Sequence, residues 1–455
     1  MKKPSLDKNA LKNYRLVSNL RFLSNFLERF VLRQLVEHIT NNHLLELQQS
    51  AYRQHHSSGI ALLHVTSCLL CKTDRGQVSF LTLLDLSTAF NTVDHDILLI
   101  RLSTTFGVTD LAFQWLCSYI TDRFMTFTVT NITSEPKRLD FVVPQGSVLG
   151  PLLFVLYSHP LSQIILDSGL DLHIFSEDTQ LFNSALPADF YLVSKQTERC
   201  VDRVRVWMES NNLKLNKENT EAMVAGSRSR TSVSGTGPLE IGSSLISFQP
   251  NVNDLGVVLE SGLTTCDHIS SVCCSAYLEL RRIGSIRPFL TVEAAAELNR
   301  SRILFRIDYC NSLLAGMTSE QIALLQKIQN HAARLTFCKK HHNYVKPLLK
   351  KLHWLPVSKR IVFKLATLSF RCFDGTLPPH LSSCLSPYSS SSSLRSSSQK
   401  LLTVPRVDLK SAGARSFQYQ APLVWNSLPL KIRLCSFLSS FKSWLKTHLI
   451  LTAFQ

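Results

Sequence analysis

The apolar run Val78 to Leu84 and a shorter strand-like run, Leu170 to Phe175, each lead almost directly into carboxylates: Asp85 after the first, Glu177 and Asp178 after the second. A wholly apolar run of that length has the character of a strand buried on both faces, which places Asp85 at a strand end. The second run is followed by another strand-like stretch, Thr179 to Phe182, so the segment reads as a hairpin with an acidic tip. In isolation an Asp at a strand end serves as a turn former or a helix cap. The order of the segments around Asp85 changes that reading.

Between the acidic sites lies Val142 to Tyr157, an apolar segment punctuated by Pro144, Gly146, Gly150 and Pro151. Such punctuation indicates a tight loop opening a buried helix, and a loop of that kind lets backbone approach a substrate. Further on come Trp207-Met208, Asn212 to Asn216, Thr220-Glu221 and Asn253 to Val257. Upstream lie Asn13 to Ser18, Phe22 to Arg29, and Gln49 to Arg53 with His56-Ser57. Downstream lie Arg306 to Gly316, Leu352 to Val357, Gly413 to Phe417, Trp425 to Pro429 and Phe441 to Leu449.

In this order the motifs resemble the reverse transcriptase of a non-LTR (LINE-type) retrotransposon. The resemblance implies an α+β fold of the right-hand polymerase class, with fingers, palm and thumb, and an RNA-directed DNA polymerase activity by two-metal nucleotidyl transfer. Two divalent ions can stabilise the attacking and leaving oxygens of an in-line displacement at phosphorus, and such ions need carboxylates. By the resemblance Asp85, Glu177 and Asp178 are the catalytic carboxylates and bind Mg²⁺ or Mn²⁺, with the Leu86 carbonyl as a further oxygen ligand. Phe90 matches the aromatic that lies beneath the incoming sugar and rejects a 2′-hydroxyl by shape. Gln145 and Gly146 match the loop that meets the nucleotide and templating base, and Arg53 a bidentate triphosphate donor. The implied partners are an RNA template, a DNA primer and deoxynucleoside triphosphates.

The sequence also departs from the family pattern. At the hairpin the family has Tyr-Ala-Asp-Asp where this chain has Phe175, Ser176, Glu177 and Asp178. The extra methylene of Glu177 moves its carboxylate outward by roughly 1 Å or more, and about 1 Å of misplacement costs on the order of 10²-fold in rate. At Asn219 the family usually has Lys, which can assist proton transfer to the leaving pyrophosphate; Asn cannot. Lys217 is the nearest substitute, but in an extended segment it stands about 6–7 Å away. Asn91 and Leu16 are milder changes. The alternative expectation is therefore a catalytically inactive remnant that binds RNA or DNA.

Charge is uneven along the 455 residues. Residues 301–455 hold 22 Lys and Arg against 4 Asp and Glu, whereas the first 300 hold 27 against 29. A positive field in the C-terminal third attracts phosphate backbones with salt-dependent, largely sequence-independent affinity. The 12 Cys form no zinc signature. Cys68-Leu69-Leu70-Cys71 lacks a second pair, and Cys338 with His341 and His342 lacks a fourth ligand, so core thiols are expected. The sequence shows no signal-peptide core and no apolar run of about 18 residues. The expectation is no membrane, reduced thiols, and a nuclear or cytoplasmic location.

The expected organisation is fingers over 1–80, palm over 81–260, a helical thumb over 261–345 and a basic C-terminal region over 346–455 with a Ser-rich linker at 382–398. Helices are expected over Phe22 to Ile39, after Gly150, over Leu192 to Asn211 and over Leu324 to Leu335. The segment 226–237 should be a loop, and 400–455 should form strands and a terminal helix. Elements of this kind usually encode an endonuclease ahead of the polymerase, and the expectation is a chain lacking one.

Overall fold

The computed structural model describes residues 18, 20, 22–87, 89–126, 128–129, 132–216, 218–227, 237–242, 244–340, 344–389 and 399–454. The motif residues 13–17, Lys217, the middle of the 226–237 loop, His341, His342 and the linker residues 390–398 lie outside them.

The central strand is Val78–Leu84, buried along its whole length. It pairs antiparallel with Asp178–Ala185 on one side and Glu221–Ala225 on the other, and Asp171–Phe175 completes a four-stranded sheet beyond Asp178–Ala185. Side chains alternate between faces along a strand. Leu81 and Leu83 accordingly join one core and Leu84 a second, while Val78 and Phe80 pack against Phe190 and Val193 in a third cluster. That three-way burial explains the absence of polar residues apart from Ser79 and Thr82, both buried in the sheet.

Helices cover both faces. Ser58–Asp74 starts at Ser57, whose hydroxyl accepts from the Ile60 amide, and buries ten of its residues. An N-cap of this kind is worth about 1 kcal/mol. Phe190–Ser210 packs Val201, Val204 and Met208 inward. Gly150–Ser158 is almost wholly buried, with Pro151 in its first turn where a missing N–H costs nothing.

The first helix, Phe22–Asn41, matches the expected span, yet its N-terminal half is poorly covered. Phe22, Leu23, Phe26, Leu27 and Phe30 are exposed, and the residues it buries are Glu28, Leu35 and Ile39.

The remainder is helical. Cys266–Ile286, Ser319–Thr336, Val357–Phe373, Phe417–Ser427 and Leu438–Phe454 pack together, and Thr318 with Gln321 forms a capping box on the second of these. An Arg360–Asp308 pair made through two nitrogens and two oxygens ties Val357–Phe373 to the end of the short helix Phe305–Asp308. The strands expected after residue 400 are corrected: among the described residues there, extended pairing is limited to the bridge Pro387↔Leu402. Leu401 to Thr403 meets Ser386 to Tyr388 through two backbone bonds, Tyr388 N to Leu401 O and Thr403 N to Ser386 O, too short a pairing to make a strand.

One continuous core runs from Leu63 and Leu69, through Leu81 and Met223, to Leu365, Trp425 and Leu449. The Cys68 thiol packs beside it and is pushed up by burial to about 12, and burial pushes the Cys71 thiol up as well. Where the hairpin strand, the Ser58–Asp74 helix and the C-terminal region meet, the rings of His64, His173 and His380 stand 4.8–5.5 Å apart, with His56 5.7 Å from His380. No helix among the described residues is long and apolar enough to cross a membrane.

Candidate active site

Sheet register brings the predicted carboxylates together. Leu84 lies opposite Thr179, so Asp85 leaves the central strand beside Asp178, the first residue of its neighbour. Ser176 and Glu177 form the two-residue hairpin turn, and Ser176 takes the left-handed backbone such a turn requires (φ 62°). The Ser176 amide donates to Gln49 Oε1 at 3.1 Å, docking the acidic tip onto the 48–50 segment. That segment runs beside the outer strand, with Ser50 N donating to Ile174 O and Ile174 N to Gln48 O.

Asp85, Asp178, Thr179, Gln180, Glu218, Asn219, Glu221 and Asp254 line a cleft of about 290 Å³. The carboxylates crowd one another. Asp178 is pushed up to about 6 by burial, then by Glu177 and Asp85. Asp254 is pushed up to about 7, chiefly by burial and further by Asp178 and Glu221. Gln180 Nε2 opposes that rise by donating to Asp254 Oδ1 at 2.6 Å, while Asp254 Oδ2 has no partner.

Asp85 is held from the other side. Its Oδ2 accepts from Asn216 Nδ2 at 3.1 Å and Asn219 Nδ2 at 2.8 Å, and its carbonyl accepts from the Asn216 amide. Leu86, the proposed carbonyl ligand, pairs with Leu215 in a short ladder and buries its side chain.

The other candidates fall nearby. Phe90 lies on Phe154, ring centroids 5.0 Å apart, and its carbonyl accepts from Val143, which puts it next to the Pro144–Gly150 loop. Gly146 has φ 107°, a conformation open to Gly and strained for side chains. The Gln145 carbonyl accepts from the Ser18 amide at 2.8 Å. Glu177 does not line the cleft and makes no hydrogen bond or ion pair among the described residues. Arg53 Nη1 donates to the Glu46 and Gln49 carbonyls at 2.5 and 3.0 Å, so one arm of its fork is occupied by nearby backbone.

Sequence reasoning gave no role to Asp254, Gln180 or Asn216. A signal existed for the first: Asp254 shares the buried face of its strand with Val252.

A divalent cation fits Asp85 and Asp178, adjacent carboxylates of which Asp178 is pushed up by burial and by its acidic neighbours and would be relieved by positive charge beside it. Mg²⁺ binds through one or two carboxylates plus substrate phosphates. No group of three His, Cys, Asp or Glu among the described residues is arranged to hold a metal ion, so Glu177 does not complete a three-carboxylate set in this conformation.

The sheet thus presents two aspartates from adjacent strands to one cleft. Residues 1–259 match the family described as Reverse transcriptase (RNA-dependent DNA polymerase), and the chain belongs to that family of right-hand polymerases. It is 25% identical over 348 residues to the probable RNA-directed DNA polymerase from transposon BS of Drosophila melanogaster, covering 74% of this chain and 37% of that protein. To the RNA-directed DNA polymerase from mobile element jockey of Drosophila funebris it is 24% identical over 279 residues, 59% of this chain and 29% of that one. The chain thus spans about a third of the length of the curated relatives it matches. Among solved structures, telomerase from Candida Tropicalis in complex with a TWJ fragment of telomeric RNA matches at a TM-score of 0.39 and 10% identity, over 94% of this chain and 57% of that one.

Proposed function

We propose that the chain is the polymerase segment of a non-LTR retrotransposon protein, adding deoxynucleotides to a DNA primer on an RNA template. The observation that carries this reading is the register Leu84↔Thr179, which sets Asp85 beside Asp178 at the floor of the cleft. Asp85 and Asp178 would hold Mg²⁺ or Mn²⁺, with Glu177 and the Leu86 carbonyl as further candidates. The metal, when bound, supplies charge stabilisation of the attacking and leaving oxygens.

The protein groups position the reactants. Asn216 and Asn219 fix the Asp85 carboxylate, which removes a rotamer search from the reaction. Phe90, backed by Phe154, walls the sugar and excludes a 2′-hydroxyl; Gln145 and Gly146 present backbone to the nucleotide, and Arg53 offers its remaining guanidinium nitrogens to the triphosphate. Residues 1–80 act as fingers, 81–260 as palm and 261–345 as thumb, while the cation-rich 346–455 region grips phosphate backbones. Work on RNA and DNA would place the protein in the nucleus or cytoplasm.

A second reading, a silent remnant that still binds nucleic acid, is favoured by Glu177 standing outside the cleft lining and by the two amides occupying Asp85 Oδ2. Primer extension on a primed RNA template with Mg²⁺ and with Mn²⁺, comparing the unaltered chain, Glu177→Asp and Asp85→Ala, separates them. Extension by the first two but not the third supports the polymerase. No extension by any, with template still bound, supports the remnant.

A further inference from the structure

We infer that Glu28, in the first helix, is a positioning residue for the nucleotide-facing loop around Gln145 and Gly146. This rests on the proposed polymerase reading only for the identity of the ligand that the loop meets.

Glu28 is 1% exposed in a helix half whose apolar side chains face solvent. A carboxylate is almost never fully buried unless paired, and this one is satisfied by backbone. Its Oε2 accepts from the amides of Val148 at 2.6 Å and Leu149 at 3.1 Å, and Oε1 accepts from Ser24 Oγ at 3.2 Å. Those two amides stand where the loop enters the Gly150–Ser158 helix, among the N–H groups such a helix leaves unpaired and in its favourable field for negative charge. Charge-assisted bonds of this type are about twice as strong as neutral ones.

The loop is otherwise held by short local links. Ser147 Oγ donates to Pro144 O and accepts from the Gly150 amide, closing its C-terminal end. Gly150 itself has no room to change: a Cβ there would stand 2.6 Å from Ser147 Oγ and 3.0 Å from Pro144 O. The Ser18 amide, from the same N-terminal region as Glu28, grips the Gln145 carbonyl. The fingers therefore set the loop from two sides, and Glu28 is the charged group that does so among the described residues. Without its carboxylate the Val148 and Leu149 amides lose their partner in a buried site, and Gln145 and Gly146 are released from a fixed aim at the nucleotide.

The test compares the unaltered chain, Glu28→Gln, Glu28→Ala and, as control, the exposed Glu37→Ala on the same helix. Amide hydrogen exchange is read over residues 145–152 together with dGTP binding, primed-template binding and single-nucleotide addition. The expected result is faster exchange at 145–152 in Glu28→Ala with the sheet still protected, a 10- to 100-fold weaker dGTP Kd or KM, unchanged template Kd, partial rescue in Glu28→Gln, and no effect of Glu37→Ala. Unchanged exchange at Val148 and Leu149 in both Glu28 variants overturns the inference, as does a loss confined to template binding. If Glu28→Ala unfolds globally, Glu28→Gln decides alone: parallel weakening of dGTP and template overturns the inference, selective weakening of dGTP supports it. Should the unaltered chain add no nucleotide, the polymerase reading fails, and the exchange and dGTP-binding results still decide the role of Glu28.

Discussion

Asn219 Nδ2 lies 2.8 Å from Asp85 Oδ2, so the residue standing where the resembling family usually has Lys is bonded to the carboxylate that ends the central strand. The amide orients Asp85 but has no proton to give to a leaving pyrophosphate. Asn219→Lys should raise the single-turnover rate of nucleotide addition by on the order of 10²-fold, the usual worth of a positioned general acid. A rate equal to or below that of the unaltered chain would show that the amide contact matters more than the acid.

Phe90 is half-buried against Phe154. Phe90→Val should narrow the preference for dGTP over GTP, measured as the ratio of kcat/KM values, by up to roughly 10²-fold, because a shape barrier to one hydroxyl is limited to about that range. The ratio is insensitive to general loss of folded enzyme. An unaltered ratio would remove Phe90 from the sugar site.

The Asp254 carboxyl, at about 7, holds its proton in the fold where the unfolded chain, near 3.8, has lost it. The native state thus binds more protons between those values. Its contribution to stability is present below about pH 4 and is lost as pH rises through 7, at about 1.4 kcal/mol per pH unit for a single group. Asp254→Asn should be more stable than the unaltered chain in urea at pH 8 without divalent cations, and the gap should narrow at pH 5 and close below about pH 4. A gap independent of pH would exclude the carboxyl as its source.

The histidines predict the opposite slope. His64, at about 4, and His380, at about 3, are held neutral mainly by burial, with His56 and His64 adding to the effect on His380. The unfolded chain takes up these protons near 6.5, so the stability they carry is present above that pH and lost as pH falls toward 4. His380→Leu should flatten the decline of Tm between pH 6.5 and 4.5 with little cost at pH 7.5. Parallel Tm curves would place the acid sensitivity elsewhere.

The central strand could be read to the residue because seven consecutive positions suit double-sided burial and Asp85 ends the run. The hairpin followed for the same reason, and with it the pairing of Asp85 and Asp178. The long helices were legible from periodicity, Phe190–Ser210 and Ser319–Thr336 included. What escaped depends on distant partners. A Glu in a mixed helix reads as solvent-facing, and Glu28 is buried because of amides 120 residues away. Motif position alone says nothing of where the Glu177 side chain points, since at a two-residue turn that direction is set by the hairpin geometry. The strands expected after residue 400 shrink to one bridge because the run at 401–403 meets only the short 386–388 segment and lies along no sheet edge.

The family match ends at residue 259, yet Leu63, Leu81 and Met223 share their core with Leu365, Trp425 and Leu449. Asp74, closing the Ser58–Asp74 helix, accepts from the Leu409 amide at 2.7 Å, and Phe417 N donates to Ser67 Oγ. A fragment trimmed to residues 1–259 would bare the sheet face that carries Leu81 and Met223 to water. The span of the family match is shorter than the unit that folds together, and proteolysis should release no stable piece ending near residue 259 from the intact chain.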